Sequence, residues 1–212
     1  PVLVLNGSAR AYWLYPKAYL RECSDIDLLL PTRSDAEQAA AGLDALGYAM
    51  HHQPDDLAHE LLCRRVLANG MQVDLDMHWR LANAPVFATV FSFEELLAAS
   101  IALPALGPTA RGLGPVHAFI HACLHRAINV YTGIGDRLKW LYDLHLLAGR
   151  FGADDWKALG DLCTQRRVSG VCAEGIEAAA SLFGTVVPQA VLDRLDAARG
   201  NDLLDARRLQ EW

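Results

Sequence analysis

The chain has 212 residues, is 52% hydrophobic and carries a formal net charge of −6. That is apolar material for one sizeable core or two small ones sharing an interface, and an acidic balance without a long Lys/Arg cluster excludes a general DNA or RNA binder, whose affinity rests on phosphate neutralisation. No apolar run reaches the roughly 18 residues of a membrane span and no signal peptide is visible, while five scattered cysteines with no Cys-x-x-Cys pair predict reduced, mostly buried thiols in a cytoplasmic protein.

Residues 2–6, led by Val2-Leu-Val-Leu5, read as a short buried strand. Pro1 leads straight into it, an opening that leaves room for a helix upstream of this sequence. Residues 8–15 read as a helix stopped by Pro16. The junction Leu5-Asn-Gly-Ser-Ala9 is therefore a strand–turn–helix. Gly7 allows a tight turn and a close backbone approach. Ser8 suits a helix cap, and its hydroxyl with the neighbouring N–H groups suits a phosphate. The loop 16–24 carries Lys17, Arg21 and Glu22. Both cations suit a phosphate or a solvated loop, with Arg21 the better fork.

The strongest signal follows, Cys23-Ser-Asp-Ile-Asp-Leu-Leu-Leu-Pro-Thr-Arg33. Residues 26–30 read as a strand, and side chains at i and i+2 of a strand point the same way. Asp25 and Asp27 are thus side by side at one edge of an apolar strand. Two like charges so placed need a counter-ion or a shared proton. Mg²⁺ suits their hard oxygen atoms best.

Ser34 is the expected cap of a helix over 35–46, with Asp35 and Glu37 in its first turn and Gly47 at its end. Tyr48-Ala-Met50 begins a strand, and His51–Asp56 reads as a polar turn. Residues 59–66 fit either a strand or a short helix. Asn69-Gly70 is a hairpin signal leading into the alternating strand Met71-Gln-Val-Asp-Leu-Asp-Met-His-Trp79. Asp74 and Asp76 share one face of it, and either could be a third carboxylate beside the first pair. His78 suits a role at the site and a packing role equally. With three carboxylates, nucleotidyl transfer on two metal ions becomes chemically consistent, the third acid completing a metal shell or accepting a proton.

Residues 85–101 read as mixed, and 102–115 as a Pro/Gly loop with an edge strand. Helical periodicity then dominates over 116–131, 137–150, 155–166, 171–183 and 189–199. The expected architecture is α+β, a mixed sheet with flanking helices over 1–112 and a helical bundle over 113–212. His117, His121 and His125 line one helical face. Zinc would suit two of them, but no acidic partner is in the stretch, so a polar face or partly buried histidines are expected. Arg137 and Lys139 suit a nucleotide cleft or solvent. Trp140, Trp156 and Phe183 are expected in the core.

Leu5-Asn-Gly-Ser-Ala-Arg-Ala-Tyr-Trp-Leu-Tyr-Pro16, Arg21, Ser24-Asp-Ile-Asp-Leu-Leu-Leu30 and Asp76-Met-His-Trp-Arg-Leu81 resemble the uncharacterised bacterial nucleotidyltransferase family of the polymerase-beta-like superfamily. His121-Ala-Cys-Leu-His125, Arg137-Leu-Lys-Trp-Leu-Tyr-Asp143 and Asp154-Asp-Trp156 are similar to its helical half. The resemblance covers nearly the whole chain. The Asp-x-Asp and Asp-x-His-Trp motifs are its more specific parts. It implies an NTP substrate, Mg²⁺ on Asp25 and Asp27, a third carboxylate at Asp76, and a phosphate-facing turn at Gly7 and Ser8. Two departures stand out: the gap from Ser8 to Asp25 is longer than the minimal superfamily pattern, and Asn6 stands where many relatives have Lys or another residue. The expected acceptor is a hydroxyl or phosphate of a small molecule or a peptide/protein side chain, with the helical half as its wall. The alternatives are a non-catalytic, antitoxin-like module that binds a nucleotide or a partner, and a phosphoryl or sugar transferase.

Overall fold

The computed structural model describes residues 1–52 and 59–203. The chain divides into two compact units, Pro1–Gly114 and Pro115–Trp212. The first runs β1 (Leu3–Val4), α1 (Asn6–Trp13), β2 (Ile26–Leu29), α2 (Arg33–Asp44), β3 (Ala49–His52), β4 (Glu60–Val66), β5 (Gln72–His78), α3 (Pro85–Ala88), α4 (Phe93–Ala98), β6 (Ile101–Ala102) and β7 (Arg111–Gly112). These strands form one mixed sheet in the order β3-β4-β5-β2-β1-β7-β6. β2 runs parallel to β5, and β1 parallel to β7.

Strand alternation separates the two faces of this sheet. Ile26, Leu28, Leu61, Cys63, Leu75 and Met77 pack against Ala36, Ala39, Ala40 and Leu43 of α2. The intervening residues of β4 and β5, Glu60, Leu62, Arg64, Asp74, Asp76 and His78, therefore belong to the opposite face. The segment 59–66 is resolved as a strand because it pairs antiparallel with β5 along its length. Gly70, at φ 82°, supplies the left-handed residue of the turn between them.

Several local expectations change. α2 starts at Arg33 and its cap is Thr32, whose hydroxyl accepts the Asp35 N–H at 3.1 Å; Ser34 lies inside the first turn. Thr32-x-x-Asp35 and Ser34-x-x-Glu37 both have the three-residue spacing of a capping box, and it is the Thr32 hydroxyl that meets the third N–H. The helix ends at Asp44, with Gly47 in the left-handed turn beyond it. His51 and His52 belong to β3, and the rest of the expected polar turn, 53–56, lies outside the described residues. In the 102–115 loop, β6 is the edge and β7 joins it to β1.

The second unit contains α5 (Pro115–Tyr131), α6 (Leu138–Ala148), α7 (Ala153–Arg166), α8 (Ser169–Phe183) and α9 (Gln189–Ala198). Its core includes Phe119, Ile120, Leu124, Leu144, Leu147, Leu159 and Ile176, joined by the thiols of Cys123, Cys163 and Cys172. Trp140 and Trp156 are buried in it. Phe183 is not; it is half-buried, against the rings of Tyr142 and His145. His121 is buried, while His117 and His125 are half-buried, the latter edge-on to Trp140 at 5.2 Å. The Arg137 guanidinium lies over the Trp140 ring, 5.4 Å from its centroid. Among the described residues, no helix is long and apolar enough to cross a membrane.

Candidate active site

The parallel pairing of β2 and β5 sets Asp27 directly opposite Asp76, and Leu29 opposite His78. On the other side of β5, Glu60 is opposite His78 and Arg64 opposite Asp74. Directly paired residues share a sheet face, so Asp27, Glu60, Asp74, Asp76 and His78 gather on the face away from α2. Asp25 lies just before β2, two residues from Asp27.

Asp74 and Asp76 have opposite electrostatic fates. Arg64 holds Asp74 with a bidentate fork, Nε to Oδ1 at 2.6 Å and Nη2 to Oδ2 at 2.7 Å. That hydrogen-bonded guanidinium keeps the Asp74 carboxyl below its ordinary range. Asp76 is pushed up to about 7, first by burial and then by the negative charges of Glu60, Asp27 and Asp25, with His78 acting in the other direction. The imidazole of His78 stands between two acids, Nε2 3.2 Å from Asp27 Oδ1 and Nδ1 3.1 Å from Glu60 Oε2. The second approach lacks the angle of a hydrogen bond. Burial pulls the His78 pKa down, but the Asp27 hydrogen bond and the charges of Asp27, Glu60 and Asp76 outweigh it and leave it raised.

The helix start meets this edge through backbone. Leu5 donates its N–H to the Asp27 carbonyl at 2.9 Å, and the Ser8 hydroxyl donates to the Asp25 carbonyl at 3.0 Å. Ser8 is therefore not the cap of α1. Leu5 occupies that position in extended backbone, without a side-chain cap. The first N–H groups of a helix lack intrahelical acceptors and carry its positive dipole end, which favours an anion.

The tight turn belongs to Asn6, at φ 49°, a left-handed position that Asn tolerates better than most residues. Gly7 is needed for closeness instead. A Cβ there would stand 2.9 Å from Cys23 Sγ and 3.0 Å from Arg21 Nη1. Arg21 is no solvated loop cation; it is 7% exposed, lies on Gly7 and donates from Nη1 to the Glu22 carbonyl. Lys17 instead places Nζ 5.7 Å from the centre of the Tyr19 ring.

The donor chemistry fits a divalent cation: hard carboxylate oxygens on paired strands, where burial and then the neighbouring negative charges raise Asp76. Among the described residues, no group of three or more His, Cys, Asp or Glu side chains converges closely enough to hold a metal ion in this geometry. That statement covers the His117, His121 and His125 face as well. Sequence reasoning missed Glu60 and Arg64. The signal was Asn69-Gly70: once 59–66 is a strand, the hairpin register alone places Glu60 opposite His78 and Arg64 opposite Asp74.

A mixed sheet with a Gly-Ser helix start tied to an Asp-x-Asp strand, and another acid in register on its parallel neighbour, has the features of a nucleotidyltransferase-type protein. The chain belongs to the family described as uncharacterised nucleotidyltransferase, whose sequence profile matches residues 1–184. One similar solved structure is an antigenic nucleotidyltransferase-like protein from Paracoccidioides brasiliensis, 12% identical, covering 91% of this chain and 88% of that one with a TM-score of 0.44. Among curated proteins, no match is found.

Proposed function

We propose that the protein moves a nucleoside monophosphate from an NTP to a hydroxyl or phosphate of a small-molecule or peptide/protein acceptor, in the presence of Mg²⁺. The observation that carries this reading is the register of Asp27 against Asp76 beside the α1 start. Asp25, Asp27 and Asp76 would hold the metal, which when bound neutralises phosphate charge and aligns the attacking and leaving oxygens. Asp76 completes that set or takes the acceptor's proton. Asp74 stands outside it, because both its oxygens engage Arg64. The N–H groups at the α1 start, Ser8 and Arg21 bind the phosphates. Five cysteines outside any disulfide, four of them buried, suit a reducing cytoplasm.

Isothermal titration of each NTP with Mg²⁺, on the wild type and on the Asp25→Asn/Asp27→Asn double variant, tests this. The expected result is metal-dependent binding in the wild type that the double variant loses. Product mass then distinguishes the reactions, since a nucleotidyl adduct retains the base. Turnover retained without the two carboxylates would overturn the reading.

A further inference from the structure

His78 stands among acids, on the side of the sheet away from the α2 core. Its register partners are Leu29 on β2 and Glu60 on β4, so its side chain shares a face with Asp27 and Asp76. Asp27 is its diagonal neighbour, two residues before Leu29, within reach of a long side chain. The residue is buried, at 9% exposure, and each ring nitrogen stands beside a carboxylate, Nε2 beside Asp27 and Nδ1 beside Glu60. Burying an imidazole carries a desolvation cost that an aliphatic residue at the same register would avoid.

The two ends of the ring act differently. An ionised carboxylate only accepts hydrogen bonds, so Nε2 donates to Asp27 Oδ1, at 3.2 Å. That bond sets the rotation of the Asp27 carboxylate from the neighbouring strand. At the other end, Nδ1 has no hydrogen-bond partner among the described residues, and it meets Glu60 Oε2 as an ionic neighbour at 3.1 Å. Glu60 on β4, His78 on β5 and Asp27 on β2 thus form one line across three strands. Groups that orient a metal ligand from behind are worth about 10- to 100-fold in metal affinity.

We propose that His78 is a positioning residue: it fixes the Asp27 carboxylate for the divalent cation, and Glu60 steadies the ring that does so. This rests on the metal-dependent nucleotidyl-transfer reading and adds two residues to its site.

The test uses Mn²⁺ alone, which shares the oxygen-ligand chemistry of Mg²⁺ and whose free ion is counted by electron paramagnetic resonance. Its affinity is read for the wild type, Asp25→Asn/Asp27→Asn, His78→Leu, His78→Gln and Glu60→Gln, each with its melting temperature. His78→Leu is expected to weaken binding about 10- to 100-fold. His78→Gln, whose amide donates from nearly the position of Nε2, is expected to bring it back to within about threefold of the wild type. Glu60→Gln should weaken it by up to about tenfold. If His78→Leu fails to fold, His78→Asn, too short for the same bond, takes its place. A merely structural His78 would lower the melting temperature and leave Mn²⁺ affinity unchanged in His78→Leu. That result, or no recovery in His78→Gln, would overturn the proposal and leave the functional reading standing, provided the double variant loses Mn²⁺. An unchanged Glu60→Gln would remove Glu60 from it. A wild type that binds no Mn²⁺, or a double variant that binds it as well as the wild type, would remove the functional reading too.

Discussion

Acids are treated differently in the two units of the molecule. In the helical unit, Asp202 accepts the N–H groups of Ser169 and Gly170 at the start of α8. There too, Glu174 accepts the Tyr131 hydroxyl at 2.6 Å, and Asp136 accepts Arg126 Nε at 2.8 Å. These pairings satisfy the fold. In the sheet, Asp74 follows the same rule through Arg64, but Asp76 two residues later faces Asp27 and Glu60 with His78 as the opposing charge. Folding alone gives no reason to gather acids in this way, since like charges at close range destabilise the compact state. Rules of this kind are characteristically broken at functional sites, and the proposed chemistry is placed at this one for that reason.

The largest effect should come from breaking the crowded cluster at its leading strand. Asp25→Asn or Asp27→Asn is expected to slow product formation roughly 10²- to 10⁴-fold, the scale for losing a positioned catalytic group. Mass-spectrometric rates of adduct formation check it, with near-native circular dichroism showing that the fold persists.

The contrast within β5 gives a sharper test. Asp76→Asn should cost activity on a similar scale and yet raise the melting temperature, because it removes one of the crowded charges. Asp74→Asn should do the reverse. Activity stays within about tenfold, while the melting temperature falls by about 1–4 °C as Arg64 loses its partner. Activity lost in Asp74→Asn and kept in Asp76→Asn would exchange the roles of the two acids.

Gly7→Ala probes the junction between α1 and the connector 16–24. Its Cβ would press on Arg21 and Cys23, and overpacking of that kind costs about 1–3 kcal/mol, readable from a urea titration. NTP affinity should fall with it, since Arg21 must move.

The smallest effect concerns the helical unit. Burial raises the Asp202 carboxyl above its ordinary 3.8, against the N–H groups of Gly170 and Ser169 and the charges of Arg167 and Arg199. A raised pKa means that the folded state binds this proton more tightly than the unfolded chain. Its stabilising contribution is therefore complete below pH 3.8 and is lost as pH rises through the folded value. Asp202→Asn removes that dependence, so the urea midpoint of the variant should decline less than that of the wild type over this window. Parallel pH profiles for the two proteins would contradict the assignment.

Much of this was legible in the chain itself. Periods of two and of three to four residues locate β2, β5 and the helices from α5 onward, since local geometry decides which side chains share a face. The i, i+2 spacing of Asp25 and Asp27 needs no partner to be read. The hairpin at Asn69-Gly70 is likewise a local property of residues that accept a left-handed turn.

Other features depend on distant neighbours. Asp74 and Asp76 are equivalent by spacing, and only the Arg64 pairing across β4 separates them. Arg21 reads as a loop cation until the connector lays it on Gly7. The turn credited to Gly7 falls to Asn6, because the space beside Gly7 is what the packing requires. By itself the sequence determined most of the elements, though not that 59–66 is a strand, and the acids at one strand edge, all consequences of short-range backbone geometry. The tertiary structure decided which acids are neutralised and which cation is buried, because charge and volume depend on residues brought together from far along the chain.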